Sequence, residues 1–166
     1  TMLETVRRER PKLVVLVGRW SLYTTGNTQR LSFLVDSESE EISKAASEKV
    51  LERSLLRTVQ SVQSLGIPVL LFGQAPEFEG DPNSCFVRKR IAGTDVTQCL
   101  RQDENRAMAR LKVSNGILSQ IAEGQQDVTV LSLHPFFCEQ GYCLAARNAE
   151  PLYENQHHIS LFAAKQ

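Results

Sequence analysis

The sequence predicts an α/β fold, a parallel sheet sandwiched between helices in three layers. Three observations carry this. Leu13–Val17, Ile67–Gly73 and Val128–Leu133 are short apolar runs with few or no polar interruptions. Long segments of helical periodicity separate them. Each run then breaks into glycine or a polar group. Continuous apolar runs mark strands buried on both faces, and intervening helices mark parallel connections.

The elements follow in order. Leu3–Arg10 is charged and closes as a short helix before Pro11. The first strand, Leu13–Val17, ends in Gly18-Arg19-Trp20-Ser21. Ser21–Asp36 is polar, with Gly26-Asn27 as a turn and Leu31–Val35 as a short strand, and reads as an excursion or hairpin lid. Ser37-Glu38-Ser39-Glu40-Glu41 reads as a helix start, with Ser37 or Ser39 as cap and acids in the first turn. Ile42, Ala45, Ala46, Leu51, Leu55, Val59, Val62 and Leu65 keep helical spacing up to Gly66. The second strand runs into Gln74-Ala75-Pro76-Glu77-Phe78. Glu79–Leu100 reads as a long loop. Asp103-Glu104 opens a second long helix, with Ala107, Met108, Leu111, Ser114, Leu118 and Ile121 on its inner stripe and Gly124 at its end. The third strand leads to His134-Pro135, and Cys138–Cys143 closes a tight turn.

A chain of 166 residues, 42% of them apolar, suits one domain with a real core. Nineteen basic residues balance 19 acidic ones, so nothing points to a nucleic-acid surface or an anionic membrane, and no nucleic-acid partner is expected. No apolar run reaches the roughly 18 residues needed to span a bilayer. The cysteines fall in two local pairs, Cys85 with Cys99 and Cys138 with Cys143, all in predicted loops. None has CxxC spacing, so no metal site is expected. Local disulfides in an oxidising compartment are the reading; four cytosolic thiols are the alternative.

Candidate chemistry collects in Pro151–Gln166. His158 lies three residues after Asn155, at what reads as a loop-to-helix junction, with His157 beside it. A polar partner at that spacing orients an imidazole as a general base. His134, at a strand end with no second ligand nearby in sequence, reads as structural or incidental. In α/β sheets chemistry sits at the carboxyl ends of strands, which makes Gly18, Arg19 and Trp20 oxyanion or cleft candidates.

Leu152-Tyr153-x-Asn155-x-x-His158-Ile159-Ser160 resembles the C-terminal Asp-x-x-His block of the SGNH hydrolases. It is most similar to the version in SGNH domains fused to membrane-bound sugar O-acyltransferases of the acyltransferase-3 type. The Gly18-Arg19-Trp20 strand end and the Pro76-x-Phe78 loop resemble the same subgroup. Two departures stand out. Asn155 occupies the aspartate position, and Trp20 the position of the asparagine that serves the oxyanion in ordinary members.

The resemblance implies a flavodoxin-like, SGNH hydrolase-like sandwich over residues 1–166. The family's Gly-Asp-Ser block is not among these residues, so the chain reads as a C-terminal fragment that lacks the N-terminal strand or strands. It implies an acyl esterase or O-acyltransferase domain acting on cell-surface polysaccharide or lipopolysaccharide sugars. His158 would be the base, held by Asn155, with no cofactor. The partners implied are an acyl donor, a glycan acceptor and an N-terminal membrane acyltransferase domain in the same polypeptide. The location implied is the periplasmic side of a bacterial inner membrane. An uncovered edge at Leu13–Val17 suggests a homodimer or a rearranged segment pairing there. A module that kept the fold but only binds carbohydrate or scaffolds a membrane acyltransferase is the competing reading. A cytosolic flavodoxin-like binding domain is a third.

Overall fold

The computed structural model describes residues 1–26 and 32–166. Asn27 of the expected turn and Leu31 of the expected short strand lie outside the described residues. The chain divides into two compact units, residues 1–74 with 111–132, and residues 75–110 with 133–166.

The first unit carries a three-stranded parallel sheet of Val14–Val17, Val69–Phe72 and Val128–Leu131, with Val69–Phe72 in the middle. Val14 aligns with Val69 and Val128, and Leu16 with Leu71 and Val130. This is the mixed α/β class expected, consistent with an SGNH-like fold. Burial along the strands alternates, however. Val14, Val69 and Leu71 face the core at 8%, 1% and 0% exposure, whereas Val15, Val17 and Leu131 are 45%, 69% and 44% exposed. The apolar runs are therefore not buried on both faces, although their composition reads that way.

Helices cover the buried face. Met2–Glu9 begins with a capping box between Thr1 and Glu4 and ends at Arg10 in the left-handed conformation (φ 46°). Lys44–Gln63 buries Val50, Leu51, Leu55, Val59 and Val62 at helical spacing. Gly66, at φ 72°, turns the chain towards the second strand. Lys112–Glu123 adds Ile117, Leu118 and Ile121 to the same core.

The acidic run does not open the long helix. Ser43 caps it instead, accepting from the Ala46 N–H at 3.1 Å. Asp36 and Glu38 pair with Arg53 and Arg57, which stand one turn apart on that helix. The acids thus clamp the incoming loop to the helix side. The polar stretch after Trp20 is not a hairpin lid over its described residues: Ser21–Thr25 is a short helix. Leu34 N–H donates to Ser47 Oγ at 2.8 Å rather than into a strand.

The second unit is made of short elements around Phe78, Ala107, Phe137, Leu152 and Tyr153. Arg101–Asp103, Tyr142–Leu144 and Cys138–Glu139 form a small antiparallel sheet. The expected Glu79–Leu100 loop contains two helices, Pro82–Ile91 and Thr97–Leu100. Asp81 caps the first, accepting from Asn83 N–H at 3.0 Å, and Pro82 begins it. Val87 and Ile91 are exposed, so this helix shows no clear apolar stripe in the sequence. The expected long helix from Asp103 to Gly124 is two helices, Glu104–Ala109 and Lys112–Glu123, parted where one unit gives way to the other.

Both disulfides are present, Cys85–Cys99 and Cys138–Cys143. Their cysteines lie in helices and strands, not in loops.

Candidate active site

In the second unit the chain from Pro151 to Ser160 folds back on itself. Ser160 N–H donates to Leu152 O at 2.9 Å, Tyr153 bridges Ile159, and Glu154 N–H donates to His158 O at 2.8 Å. Residues 155–157 form the tip. His158 therefore closes a short loop and does not open a helix; the helical turn beyond it is Ala163–Lys165, whose Ala163 N–H donates to Ser160 Oγ at 3.1 Å. Isolated from a sheet, such a narrow loop needs anchoring. Asn83 Nδ2 supplies it, donating to the Tyr153 and Glu154 carbonyls at 3.0 and 2.9 Å. Phe78 N–H donates to Gln156 O at 2.8 Å.

Tyr153 is the base of the loop. It is 1% exposed and packs edge-on to Phe78, with ring centroids 5.0 Å apart, and against Phe137. Its hydroxyl donates to Pro76 O at 2.8 Å. Burial, with the Glu77 carboxylate beside it, pushes the phenol well above its usual range. Tyr153 is structural and stays protonated. Buried Glu77 has Arg110 Nε 3.4 Å from its carboxylate.

At the tip, Asn155 Oδ1 accepts from the His157 and His158 backbone N–H groups at 3.1 and 3.0 Å. This is an Asx turn. Its Nδ2 lies 2.9 Å from His158 Nδ1. His158 is exposed, its ring tilted 57° to that of His157 at a centroid distance of 4.5 Å. Asn155 and His158 are thus in contact, as their spacing implied. His134 is elsewhere in this unit, with Nε2 2.7 Å from Glu104 Oε1.

The first unit holds Gly18, Arg19 and Trp20 at the carboxyl end of its first strand. Trp20 is buried, and its indole N–H donates to Phe72 O at 2.9 Å. That donor is committed to the backbone, so the indole does not serve as an oxyanion donor in this arrangement. A Cβ on Gly18 would meet the Trp20 ring at 3.2 Å. Gly18 gives the ring its seat. Arg19 is half-buried, and its carbonyl accepts from Leu22 N–H at 3.1 Å. Sequence reasoning missed the neighbouring Ser21–Gln74 pair. Gln74 Oε1 accepts from Ser21 N–H and its Nε2 donates to Ser21 Oγ, both at 2.9 Å. Only the placement of both residues just after strand ends hinted at it.

A cleft of about 570 Å³ also lies in the second unit, between Phe78, Asp81, Arg88, Arg101, Asp103 and Tyr142 among others. Arg101 stacks over the Tyr142 ring at 4.5 Å. Ser84 and the first helical N–H groups hold the Asp81 carboxyl below its usual range. Among the described residues no group of three or more His, Cys, Asp or Glu side chains is placed to hold a metal ion.

A family model for the SGNH domain fused to AT3 domains matches residues 1–166. The chain belongs to that family. No curated protein and no solved structure matches it. Membership makes it a domain of an esterase and acyltransferase family, and the family's name implies fusion to an AT3 acyltransferase domain. Its two disulfides are consistent with an extracytoplasmic SGNH domain. No helix among the described residues is long and apolar enough to cross a membrane.

Proposed function

We propose that this SGNH domain contributes to acyl transfer to or from sugar hydroxyls of cell-surface polysaccharide or lipopolysaccharide, on the periplasmic side of a bacterial inner membrane. Its working partner is the membrane acyltransferase domain of the same polypeptide. The observation that carries this reading is the Asn155–His158 contact at the tip of an anchored loop, in the family's Asp-x-x-His spacing. The nucleophile is a serine of a Gly-Asp-Ser block, which residues 1–166 do not contain. Its Oγ attacks the acyl carbonyl, the acyl–Oγ bond forms, and the bond to the leaving oxygen breaks. A base at the His158 position takes the serine proton and returns it to the leaving group. The Tyr142–Arg101 cleft, about 570 Å³ and within the usual 300–1,000 Å³ range, offers a stacking ring and charged side chains for a sugar.

The test is ester hydrolysis measured with acetylated sugars and small acyl esters. Residues 1–166 alone are expected to be inactive. A chain with a Gly-Asp-Ser block ahead of Thr1 is expected to turn over, and His158→Ala to abolish that gain. Turnover by residues 1–166 that survives His158→Ala defeats the assignment. The competing reading, a non-catalytic carbohydrate-binding or scaffolding module, is favoured by one specific observation: an amide, not a carboxylate, faces the imidazole.

A further inference from the structure

We propose that Asn155 locks His158 in the tautomer that carries its hydrogen on Nε2, so that in the resting loop the exposed ring nitrogen is a donor to an oxygen ligand, and His158 serves as a base only once that hydrogen has moved to Nδ1. The inference rests on the reading of this loop as the family's site only for its consequence in catalysis. The tautomer itself is fixed locally.

The argument begins with the amide. Two backbone N–H groups, of His157 and His158, converge on the Asn155 side-chain atom assigned as Oδ1, at 3.1 and 3.0 Å. An N–H needs an acceptor, so that atom is the oxygen; the flipped amide would set two donors against an NH₂ group. The atom 2.9 Å from His158 Nδ1 is therefore the amide nitrogen, which only donates. Nδ1 must then present its lone pair. A neutral imidazole has one hydrogen, and with Nδ1 accepting it resides on Nε2.

An aspartate at the same position reverses this. One carboxylate oxygen would keep the two backbone N–H groups, and the other would accept from Nδ1–H. Nε2 would be left with the lone pair a general base requires. The loop is the same in both cases, and one atom on one side chain sets the direction of the proton at the ring's far side. In a serine protease the corresponding aspartate-to-asparagine change leaves the geometry intact and lowers the rate by about 10⁴ through the wrong tautomer. Asn155 is a positioning residue: it acts through His158. The ligand it selects for is an acceptor oxygen, such as an acyl carbonyl or a sugar oxygen, bound by Nε2–H.

The experiment is a long-range ¹H–¹⁵N correlation spectrum of the imidazoles in labelled protein at about pH 9, where imidazoles are ordinarily neutral. His158→Ala identifies the His158 signals. The expected result is a pyridine-type Nδ1 and a pyrrole-type Nε2 in the natural chain, exchanged in Asn155→Asp and averaged in Asn155→Ala. A pyrrole-type Nδ1 in the natural chain overturns the proposal, as does an unchanged pattern in folded Asn155→Asp. If that variant fails to fold, the shift of the tautomer ratio between the natural chain and Asn155→Ala decides, and no shift overturns the proposal. A purely structural role for Asn155 would leave the tautomer unmoved. In a chain that also carries the Gly-Asp-Ser block, Asn155→Asp is expected to raise kcat by up to about 10⁴. Failure of that gain with the tautomer as expected counts against the proposed function and not against the lock.

Discussion

Gly73 has no room for a side chain. A Cβ there would stand 2.7 Å from the Leu131 carbonyl oxygen, which already accepts from Gly73 N–H at 2.8 Å. Gly73→Ala must push the second and third strands apart at their carboxyl ends. A loss of about 1–3 kcal/mol is expected in urea unfolding, the range for overpacking. Tyr153→Phe tests the base of the histidine loop. It removes one hydrogen bond to Pro76 O while keeping the ring packing, and about 1 kcal/mol is expected to be lost. The His158 loop was legible at this level to a limited extent. Its spacing brought Asn155 and His158 together in advance, because three residues is the reach of an Asx turn. Which end of the amide meets the ring was not legible, since that depends on where two backbone N–H groups point.

The Asp36–Arg53–Arg57 cluster is an element-level device that joins a loop to the side of the Lys44–Gln63 helix. The Arg53 guanidinium holds the Asp36 carboxyl well below the usual carboxylate range, helped by the Glu38 and Ser39 N–H groups. A depressed carboxyl adds stability above its unfolded value, near 3.9, and loses it as the pH falls through the folded value. Asp36→Asn is therefore expected to lower the thermal midpoint at pH 7. The gap should narrow below about pH 4, as the natural chain loses the same contribution. A gap that stays constant down to pH 2 would contradict this. The disulfides make a second test. Cys85–Cys99 spans 14 positions and ties the Pro82–Ile91 helix to Thr97–Leu100. Replacing both cysteines by serine is expected to cost about 3 kcal/mol. Counting thiols in denatured, unreduced protein should find none reactive. The pairing was legible from sequence because both links are local. The helix around Cys85 was not, because Val87 and Ile91 face outward and blur its period.

For the whole molecule, the outer face and free edge of the parallel sheet carry the main expectation. Among the described residues, Val14–Val17 pairs on one side only, with Val69–Phe72, and Val15 and Val17 are largely exposed. No rearranged segment among these residues takes the other side. An apolar edge in this state favours association. Sedimentation over rising concentration is expected to show self-association that Val15→Lys with Val17→Lys suppresses. A monomer at every concentration would refute it.

The three parallel strands, the Lys44–Gln63 helix between the first two, the local disulfides and the family were legible in the sequence alone. Each follows from nearest neighbours along the chain: apolar period, glycine and proline punctuation, and residue spacing within one loop. Tertiary structure decided the rest. Trp20 was an oxyanion or cleft candidate by its place at a strand end; that its ring is buried and its indole N–H is bonded to the Phe72 carbonyl on the adjacent strand was decided in three dimensions. The acidic run looked like the first turn of a helix and became part of a clamp, because Arg53 and Arg57, 15 and 19 positions beyond Glu38 in the chain, lie beside it in space. Val15 and Val17 looked buried on composition and are exposed, because a strand's second face is covered only if another element reaches it. Pairings across such distances are set by how the backbone packs, and no local pattern encodes them.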